Sequence, residues 1–472
     1  AFVSLIPLVH YIATHSLQEA VKGGLLFGLV TTVGTVYWIG WATVPGMIGA
    51  VIYLPLYTVL FSLLLAVAHR LWGEKALWCA PFFWTGIEYL VSLGQLSFPW
   101  NLLAYTQSYS LPFMQSVSLV GVYGLSFWVV VLNVLLYQLM AGNSTAGRRF
   151  VFGALVLVLF LLPWIYGSSR VKKWQESDET IRVSLIQGNI DPFKKWSPSF
   201  KDSNFAVYGK LTKKAAADNP DLIVWPENAA PCYLKYSSTY LPLVKDLSRK
   251  VGTPILTGAP DYSWNSGQEA DIFNSMLMLS PDAAGIPTYN KHYLVPFSER
   301  FPYADLLPGL YEWIKKLIPV IGNFTPGSSV SAFYLRPDSS GGNVPFGPLI
   351  CYDSVYPQFI PSLIETGASF LVLITNDGWF GNTSGPYQHA NIARFRAIEA
   401  KRWIVRNANT GVSGFIDPLG RVTGVIGYDE SGYMTSEIGL HNGKTFYIRT
   451  GNLILYPLIV VNILMLAALI VF

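Results

Sequence analysis

The sequence predicts a multi-helix integral membrane domain joined to an α/β domain, and two observations support this fold class. Of the 472 residues, 51% are hydrophobic and only 13% are charged, whereas soluble domains carry about 25% charged residues. Long apolar stretches bracket one polar segment, in which short β-rich runs alternate with helical ones. Much of the chain is therefore expected to face lipid, and the polar segment is expected to fold as helices packed on a mixed sheet.

Seven apolar stretches are predicted to form membrane-embedded helices. They cover residues 2–13, 25–41, 47–68, 77–93, 116–139, 150–166 and 453–472. A bilayer crossing takes about 20 residues, so the first stretch is short. We assign residues 1–167, with six of the helices, to the first membrane segment and residues 452–472 to the last. Because the chain starts with Ala1, we expect a further helix before it.

The basic residues between the predicted helices indicate the orientation of the chain. They fall in alternate loops: Lys22 in one, Arg70 and Lys75 in the next, Arg148 and Arg149 in the third. The intervening loops, 42–46 and 96–115, contain no Lys or Arg. The positive-inside rule places the basic loops in the cytoplasm. The polar segment is therefore expected on the outer side of a bacterial inner membrane, in the periplasm.

The polar segment, residues 168–451, is predicted to form the α/β domain. Val, Ile, Leu and Phe fill its predicted strands almost continuously, as in strands buried on both faces. The predicted strands are 182–187, 222–225, 254–257, 275–279, 348–351, 370–375 and 404–407. The predicted helices are 200–217, 240–251, 355–365 and 387–400. Roughly 280 residues are enough for one full core.

Three side chains in this segment suit acyl transfer. Cys351 ends the apolar run 344–350, a place where nucleophiles are common, and Glu227 follows strand 222–225, where it could act as a general base. Lys291 could lower the pKa of the thiol by direct attraction or stabilise an oxyanion. Taken singly, they are equally typical of a buried cysteine, a surface acid and a solvated lysine. Together they are the parts needed to make and break an acyl thioester.

The arrangement of these three groups resembles the Glu–Lys–Cys triad of the nitrilase superfamily of carbon–nitrogen hydrolases. Flanking motifs are similar to those of the apolipoprotein N-acyltransferase family: Gln187-Gly188-Asn189-Ile190, Lys195-Trp196, Trp225-Pro226-Glu227, Tyr289-Asn290-Lys291-His292, Asn376-Asp377-Gly378-Trp379, Arg406-Asn407-Ala408-Asn409 and Phe98-Pro99-Trp100. The resemblance covers nearly the whole chain. It implies a nitrilase-like αββα sandwich for the α/β domain, and the family's usual eight membrane helices agree with seven here and one preceding residue 1.

The resemblance also implies a reaction. The family takes an acyl chain from a phospholipid, typically phosphatidylethanolamine, and holds it as a thioester on the cysteine, here Cys351. It then passes the chain to the α-amine of diacylglyceryl-cysteine at the N-terminus of an apolipoprotein. In this ping-pong scheme Glu227 relays protons, while Lys291 and the Tyr352 N–H stabilise the oxyanion. Glu299 matches a second family carboxylate and is expected to polarise Lys291 or position the amine, the alternative being an ion pair with a cation such as its neighbour in sequence.

Four further residues are expected to contact substrate. Trp196, Tyr352 and Trp379 are expected to line the acyl or head-group pocket, although aromatic residues near a membrane are equally typical of packing or interfacial anchoring. Asp353 is expected to join them, and it stands where the family more usually has Glu. Its shorter side chain leaves the corresponding contact open.

Other functions find less support in the sequence. The six histidines lack metal-ligand spacing, and no cofactor is expected. A net charge of +4 without a basic, aromatic-rich run argues against a nucleic-acid partner.

Glu88 lies within a predicted membrane helix, where a buried acid suggests a function. We prefer the interpretation that its side chain ties this helix to neighbouring helices. The role of Cys232, five residues beyond Glu227, stays open.

Three rival interpretations remain. The first is a membrane-anchored amidase with the same fold, which would explain neither the many helices nor the outer orientation. The second is a cysteine protease that pairs Cys351 with His292 or His389, which leaves Glu227 and Lys291 without a task. The third is a non-catalytic lipoprotein receptor or transporter. Replacing Cys351 separates these, because a binding protein would keep its function without the thiol.

Overall fold

A computed structural model describes residues 1–141, 145–264, 270–281, 283, 285–317, 322–336, 342–451 and 455–471. The chain divides into two compact units, one formed by residues 1–174 with 445–472 and the other by residues 175–444. The first unit is helical, and the second contains every strand found in the described residues.

The α-helices in the described residues are α1 (Ile6–Thr14), α2 (Leu17–Val36), α3 (Ile39–Ala42), α4 (Val44–Tyr53), α5 (Pro55–Trp72), α6 (Ala80–Val91), α7 (Leu111–Met114), α8 (Val117–Met140), α9 (Ala146–Lys172), α10 (Pro198–Ala215), α11 (Tyr240–Val251), α12 (Pro308–Leu317), α13 (Phe359–Glu365), α14 (Ser384–Ala400), α15 (Phe446–Thr450) and α16 (Leu455–Val471). The strands are β1 (Thr180–Gln187), β2 (Leu222–Val224), β3 (Ile255–Trp264), β4 (Ala270–Leu279), β5 (Thr288–Asn290), β6 (Phe333–Leu335), β7 (Val344–Ile350), β8 (Phe370–Thr375), β9 (Ile404–Ala408), β10 (Ser413–Ile416), β11 (Val422–Ile426) and β12 (Gly432–Gly439).

Four helical segments in the described residues are long and apolar enough to cross a membrane: Leu17–Val36, Val44–Val91, Val117–Met140 and Ala146–Lys172. The second segment contains both predicted stretches 47–68 and 77–93, joined through α5 and a 3₁₀ turn, Gly73–Cys79. Helix α1 has only nine residues, fewer than the roughly 20 that a crossing takes, and Leu455–Leu469 is a shorter apolar helix. These two predicted stretches therefore do not reach spanning length as described helices.

Glu88 in α6 is held by hydrogen bonds inside the helical unit. Its Oε1 accepts from the Leu103 backbone N–H at 2.6 Å and from Trp84 Nε1 at 3.0 Å. The carboxylate thus joins α6 to the polypeptide that precedes α8, and an unpaired polar backbone group in lipid would be costly. This geometry agrees with the expected structural tie.

The second unit is built on two six-stranded sheets, with strand orders β12-β1-β2-β3-β4-β5 and β11-β10-β9-β8-β7-β6. Three neighbouring strands are parallel in each sheet, β1-β2-β3 and β7-β8-β9, and the outer pairings are antiparallel. Helices α10 and α11 cover the first sheet, with Tyr208 and Val244 in its core. In the second sheet, helix α13 packs on β7, and helix α14 packs on β9 and β10. The result is the predicted αββα sandwich.

The two sheets are joined by polar contacts as well as by apolar packing. Asn407 on β9 donates its side-chain amide to the carbonyl of Ile186 on β1, at 3.1 Å, and to that of Val224 on β2, at 2.7 Å. Asn407 is fully buried, and a buried amide that is satisfied across two layers fixes their register. The contact with Val224 brings the ends of β2 and β9 together.

Two predicted boundaries were wrong at the end of β7. The strand ends at Ile350, and residues Cys351–Val355 form a 3₁₀ turn rather than the last residue of a strand and the start of a helix. Helix α13 consequently begins at Phe359 instead of residue 355. The turn lifts Cys351 out of the sheet.

Candidate active site

Glu227 lies in a tight turn after β2. Trp225 stacks on Tyr208 and donates its indole N–H to Thr212 Oγ1 at 2.9 Å, which fixes the start of the turn. The turn lies against Gly258 of β3, where a Cβ atom would come within 2.7 Å of Glu227 Cα. A side chain at position 258 would therefore displace the Glu227 backbone, which is why glycine is required there.

Glu227, Lys291 and Glu299 form one buried ionic cluster. Lys291 Nζ is 3.5 Å from Glu227 Oε1 and 2.8 Å from Glu299 Oε2. Asn274 on β4 donates its amide to both carboxylates, at 2.7 Å to Glu227 and 2.9 Å to Glu299. The alternative for Glu299 was an ion pair with Arg300 or another cation. Arg300 pairs with Asp305 at 3.1 Å, and the cation that Glu299 contacts is Lys291.

The charge on Lys291 is stabilised by this cluster. The residue is only 1% exposed, and burial alone would lower its pKa. Glu299, Cys351 and Glu227 outweigh burial and raise the pKa of the ammonium above its ordinary value. Lys291 is thus a fixed cation, as an oxyanion donor must be.

Cys351 adopts a backbone conformation that is rare for a residue with a side chain. Its φ is +47°, in the left-handed region that costs a non-glycine residue of order 1 kcal/mol or more. The fully extended β7 ends just before it, so the strained residue is the first one beyond the sheet. Such a turn is typical of a nucleophile that is presented away from the sheet.

The thiol of Cys351 is protonated in this resting arrangement. Burial and the nearby Glu227 carboxylate raise its pKa well above the ordinary value, although Lys291 and a hydrogen bond from Thr375 act in the opposite direction. Lys291 thus lowers the pKa of the thiol, in the expected direction, but burial and Glu227 outweigh its effect. The thiol needs a base during its attack, and Glu227 is the carboxylate that acts on it most strongly.

Asp353 braces the turn instead of facing open space. It is fully buried; its Oδ2 accepts from Tyr289 Oη at 2.8 Å and from the Ile350 N–H at 3.1 Å. Its Oδ1 accepts from the backbone N–H groups of His292 and Tyr293 at 3.1 and 2.8 Å. The carboxylate therefore joins the segment after Lys291 to the segment of Cys351, and this geometry favours a positioning role over the expected substrate contact.

A second buried network lies under the carbonyl of Cys351. His389 Nδ1 is 2.8 Å from Asp377 Oδ1, and its Nε2 is 3.0 Å from Ser354 Oγ and 3.2 Å from the Cys351 carbonyl oxygen. Burial would raise the pKa of Asp377, but Arg406, 2.6 Å away, and His389 lower it to about 2. Asp377 is therefore an anion at neutral pH, flanked by the basic side chains of His389 and Arg406.

The two histidines of the protease interpretation do not face the thiol. His389 has the Asp orienter that the sequence did not reveal, yet its Nε2 contacts the backbone carbonyl of Cys351 and Ser354. His292 stacks on Phe359 with ring centroids 5.2 Å apart. The geometry therefore supports Glu227 as the base for Cys351.

The aromatic candidates divide into exposed and buried residues. Trp196 is 40% exposed, and Trp379, which is partly exposed, packs edge-on against Phe193 at 5.0 Å. Tyr352 is buried and packs edge-on against Tyr356 at 5.3 Å. Trp196 and Trp379 are accessible to a ligand, whereas the Tyr352 ring packs in the interior of the unit.

Sequence reasoning missed several groups of this site. Asn274 bridges the two carboxylates, Asp377 orients His389, and Lys195 lies buried within the electrostatic reach of Glu227. A lone Asn in the apolar strand β4 and the Lys before Trp196 were the available signals. Among the described residues, no group of three or more His, Cys, Asp or Glu side chains could hold a metal ion.

Comparisons with known proteins identify the family of this chain. The carbon-nitrogen hydrolase family model matches residues 182–446, and the model of the apolipoprotein N-acyltransferase N-terminal domain matches residues 1–135. The apolipoprotein N-acyltransferase of Geobacter metallireducens is 34% identical over 96% of this chain and 87% of its own length. That of Rhodopseudomonas palustris is 31% identical over 92% and 83%. Among solved structures, an amidase from Nesterenkonia covers 60% of this chain and 97% of its own at 17% identity, with a TM-score of 0.42, a likeness too weak to add to the sequence relationship.

Proposed function

Because the chain belongs to the apolipoprotein N-acyltransferase family, we propose that it transfers a fatty acyl chain from a membrane phospholipid to the N-terminal amine of diacylglyceryl-cysteine in apolipoproteins. Phosphatidylethanolamine is the proposed donor. Glu227, Lys291 and Cys351 form the proposed triad, and Glu299 assists Lys291. The observation that carries the proposal is the buried cluster in which Lys291 contacts both carboxylates while it acts electrostatically on Cys351.

In the first half-reaction, Glu227 takes the proton of the Cys351 thiol while sulfur attacks the carbonyl carbon of the phospholipid ester. The new C–S bond leaves a tetrahedral oxyanion, which Lys291 Nζ and the Tyr352 N–H stabilise. The intermediate collapses as the ester C–O bond breaks, and Glu227 returns the proton to the departing alkoxide. The products are an acyl thioester on Cys351 and a lysophospholipid.

In the second half-reaction, the α-amine of the acceptor attacks the thioester carbonyl. Glu227 takes a proton from the amine, the same two donors stabilise the oxyanion, and the C–S bond breaks. The sulfur regains its proton from Glu227, so the enzyme returns to its starting state. Glu299 keeps Lys291 charged and in place throughout, since its two oxygens lie 2.8 and 3.0 Å from Nζ.

We further propose where the reaction takes place. In this proposal the catalytic domain, residues 168–451, lies on the periplasmic face of the inner membrane, and the flanking segments 1–167 and 452–472 hold it at the bilayer. The distribution of basic residues between the predicted helices supports this orientation. Trp196 and Trp379, the two accessible residues among the three aromatic candidates from the sequence, are proposed contacts for the lipid. Tyr352 contributes through its backbone.

Intact-protein mass spectrometry tests the proposal. Purified protein in detergent is incubated with phosphatidylethanolamine, next to Cys351→Ala and to Cys232→Ala as a matched control. Cys232 is a second free cysteine of the same unit. We expect wild type and the control to gain the mass of one acyl chain, sensitive to hydroxylamine, and Cys351→Ala to gain none. A diacylglyceryl peptide should then remove the added mass and emerge acylated.

Two results would contradict the proposal. Acylation that persists in Cys351→Ala would place the thioester on another residue. Wild-type protein that hydrolyses small amides but never gains acyl mass from phospholipid would favour the membrane-anchored amidase.

A further inference from the structure

Lys195 carries a buried ammonium that no neighbouring side chain neutralises by direct contact. The residue is 2% exposed, and its Nζ has no hydrogen-bond partner among the described residues. The ring of Trp196 lies 5.8 Å from Nζ, at the outer limit of a cation–π contact. A buried charge without a partner costs several kcal/mol, so this position calls for a group that completes it.

The backbone around Lys195 is held firmly. Its N–H donates to the Asp191 carbonyl at 3.1 Å, and its carbonyl accepts from the buried amide of Asn204 at 3.1 Å. The segment that leads from β1 is tied to the second sheet, because the Asn189 N–H donates to the Asn409 carbonyl at 2.8 Å. The fold therefore fixes the point from which the Lys195 side chain extends.

The surroundings of Lys195 show which side of the active site it occupies. Burial lowers its pKa to about 8, and among the described residues Glu227 is the one charged group that opposes this shift. The thiol of Cys351, by contrast, responds to Glu227, Lys291 and Asp377. Lys195 and Glu227 are farther apart than an ion pair. The ammonium thus lies on the side of the site that Glu227 occupies, within the electrostatic reach of this carboxylate.

The departing group of the first half-reaction must lie on that same side. Glu227 can protonate the alkoxide only within hydrogen-bond reach. In a phospholipid that alkoxide belongs to the glycerol backbone, which carries a phosphodiester anion beyond its carbon chain. An ammonium offers three donors to phosphate oxygens, and the contact between the two charges is a strong, charge-assisted one.

We propose that Lys195 binds the phosphodiester of the acyl donor and so places the donor's ester at Cys351. The inference rests on the proposed function, because it takes the donor to be a phospholipid. Lys195 acts here as a substrate-binding residue and takes no part in proton transfer. It distinguishes an acyl ester that carries a phosphate from one that does not.

The test compares two acyl donors in single-turnover acylation of Cys351, followed by intact mass. Phosphatidylethanolamine carries the phosphodiester, and a p-nitrophenyl ester of the same fatty acid lacks it. Lys195→Met removes the charge, and Lys195→Arg keeps it. We expect Lys195→Met to raise the phosphatidylethanolamine concentration needed for half-maximal rate about 10- to 100-fold, as for the loss of a charged hydrogen bond. The same variant should react with the neutral ester as wild type does, which also shows that it is folded, and Lys195→Arg should recover much of the loss.

Other outcomes would overturn the inference. Equal loss with both donors would make Lys195 an oxyanion donor or a structural residue, and no loss with either would make it a bystander. Inorganic phosphate is also tested at the concentration used for the donor. If it inhibited the neutral-ester reaction of wild type but not that of Lys195→Met, Lys195 would be assigned to a site for free phosphate. Wild type that reacts with the neutral ester but not with phosphatidylethanolamine would overturn the proposed function and this inference with it.

Discussion

At the scale of single residues, the site separates the groups that react from the groups that hold them. Cys351 is strained at φ +47°, and its thiol is kept protonated by burial and by Glu227. Strain of this kind persists only when the surrounding contacts fix it. Here Asp353 holds the turn from one side and His389 holds the Cys351 carbonyl from the other. The conformation of Cys351 is therefore held by two residues that are fully buried.

His389 is predicted to be a positioning residue. His389→Ala removes the contact between its Nε2 and the Cys351 carbonyl, so the Cys351 sulfur should be less well positioned. The maximal acylation rate should then fall about 100-fold, the scale expected for a small misplacement of a reacting group. The donor concentration for half-maximal rate should stay unchanged, since His389 is buried away from the donor. Ser354→Ala deletes only the hydroxyl that donates to the same carbonyl at 2.8 Å and should lose less. A change in half-maximal concentration without a change in maximal rate would disprove the positioning role.

Asp353 should make stability depend on pH in an unusual direction. Burial raises its pKa to about 6 from 3.8, despite Lys291 and four hydrogen bonds. A carboxyl with a raised folded-state pKa contributes stability that is full below the unfolded value, near pH 4, and is lost as pH rises towards 6. The melting temperature of wild type relative to Asp353→Asn should therefore be highest near pH 4 and level off above pH 6.

The matched control for this titration is Asp305→Asn. Asp305 has a side chain that is 79% exposed, so its replacement should leave the pH dependence as in wild type. Thermal melts in detergent across pH 4–7 measure all three proteins. A difference between wild type and Asp353→Asn that grows with pH would contradict the raised pKa.

At the scale of elements, the sequence revealed the centre of the α/β unit and missed its edges. The parallel strands β1, β2, β3, β7, β8 and β9 all overlap predicted strands, because burial on both faces requires unbroken apolar runs. Edge strands escaped this reasoning: β11 is almost wholly exposed, and β5 and β6 have three residues each. Short or solvated strands have no distinctive pattern of their own.

The same contrast holds for the candidate site. Glu227, Lys291 and Cys351 could be identified because they follow strands and carry recognisable neighbours in sequence. Asn274 and Lys195 could not, because their importance comes from contacts made only after distant segments meet. Asn274, for example, is 47 positions from Glu227 in sequence and 2.7 Å from it in space. Tertiary hydrogen bonds of this kind leave almost no local signal in a single sequence.

The pair α2 and α5 illustrates how the helical unit packs. The buried residues of α2 recur every fourth position: Ala20, Gly24, Gly28, Thr32 and Val36. Thr58 of α5 donates its hydroxyl to the Gly24 carbonyl at 2.9 Å. Small residues allow two membrane helices to approach closely and to share such hydrogen bonds.

Gly28→Ala is predicted to disturb this pair. A Cβ atom at position 28 would lie 2.1 Å from Thr58 Oγ1 and 2.8 Å from Pro55 Cα, so one helix must move, at a cost of about 1–3 kcal/mol. The melting temperature in detergent should fall. Gly34→Ala in the same helix is the control, because nothing lies within 4 Å of its added atom, and alanine should leave stability equal or higher. Equal melting temperatures for the two variants would refute the close packing of α2 on α5.

At the scale of the whole molecule, one chain combines apolar helices of spanning length with a nitrilase-like unit that carries the proposed triad. The helical part matches an apolipoprotein N-acyltransferase model, and the other matches carbon–nitrogen hydrolases in general. A soluble amide needs no membrane segment, whereas a phospholipid ester is presented only at a bilayer. The combination therefore supports the proposed lipid substrate.

The proposed orientation leads to a prediction for the whole chain. Residue 109 lies in a loop without Lys or Arg, and residue 148 lies in the first turn of α9, next to a second basic residue; both are exposed. In a protein whose Cys79, Cys232 and Cys351 are replaced by Ala, Tyr109→Cys should react with a membrane-impermeant maleimide in cells whose outer membrane has been permeabilised. Arg148→Cys should react only after the inner membrane is disrupted, because the positive-inside rule places this end of α9 in the cytoplasm. Lys22→Cys, on α2, should behave like Arg148→Cys. The reverse labelling pattern would place the catalytic domain in the cytoplasm, where periplasmic lipoproteins could not reach Cys351.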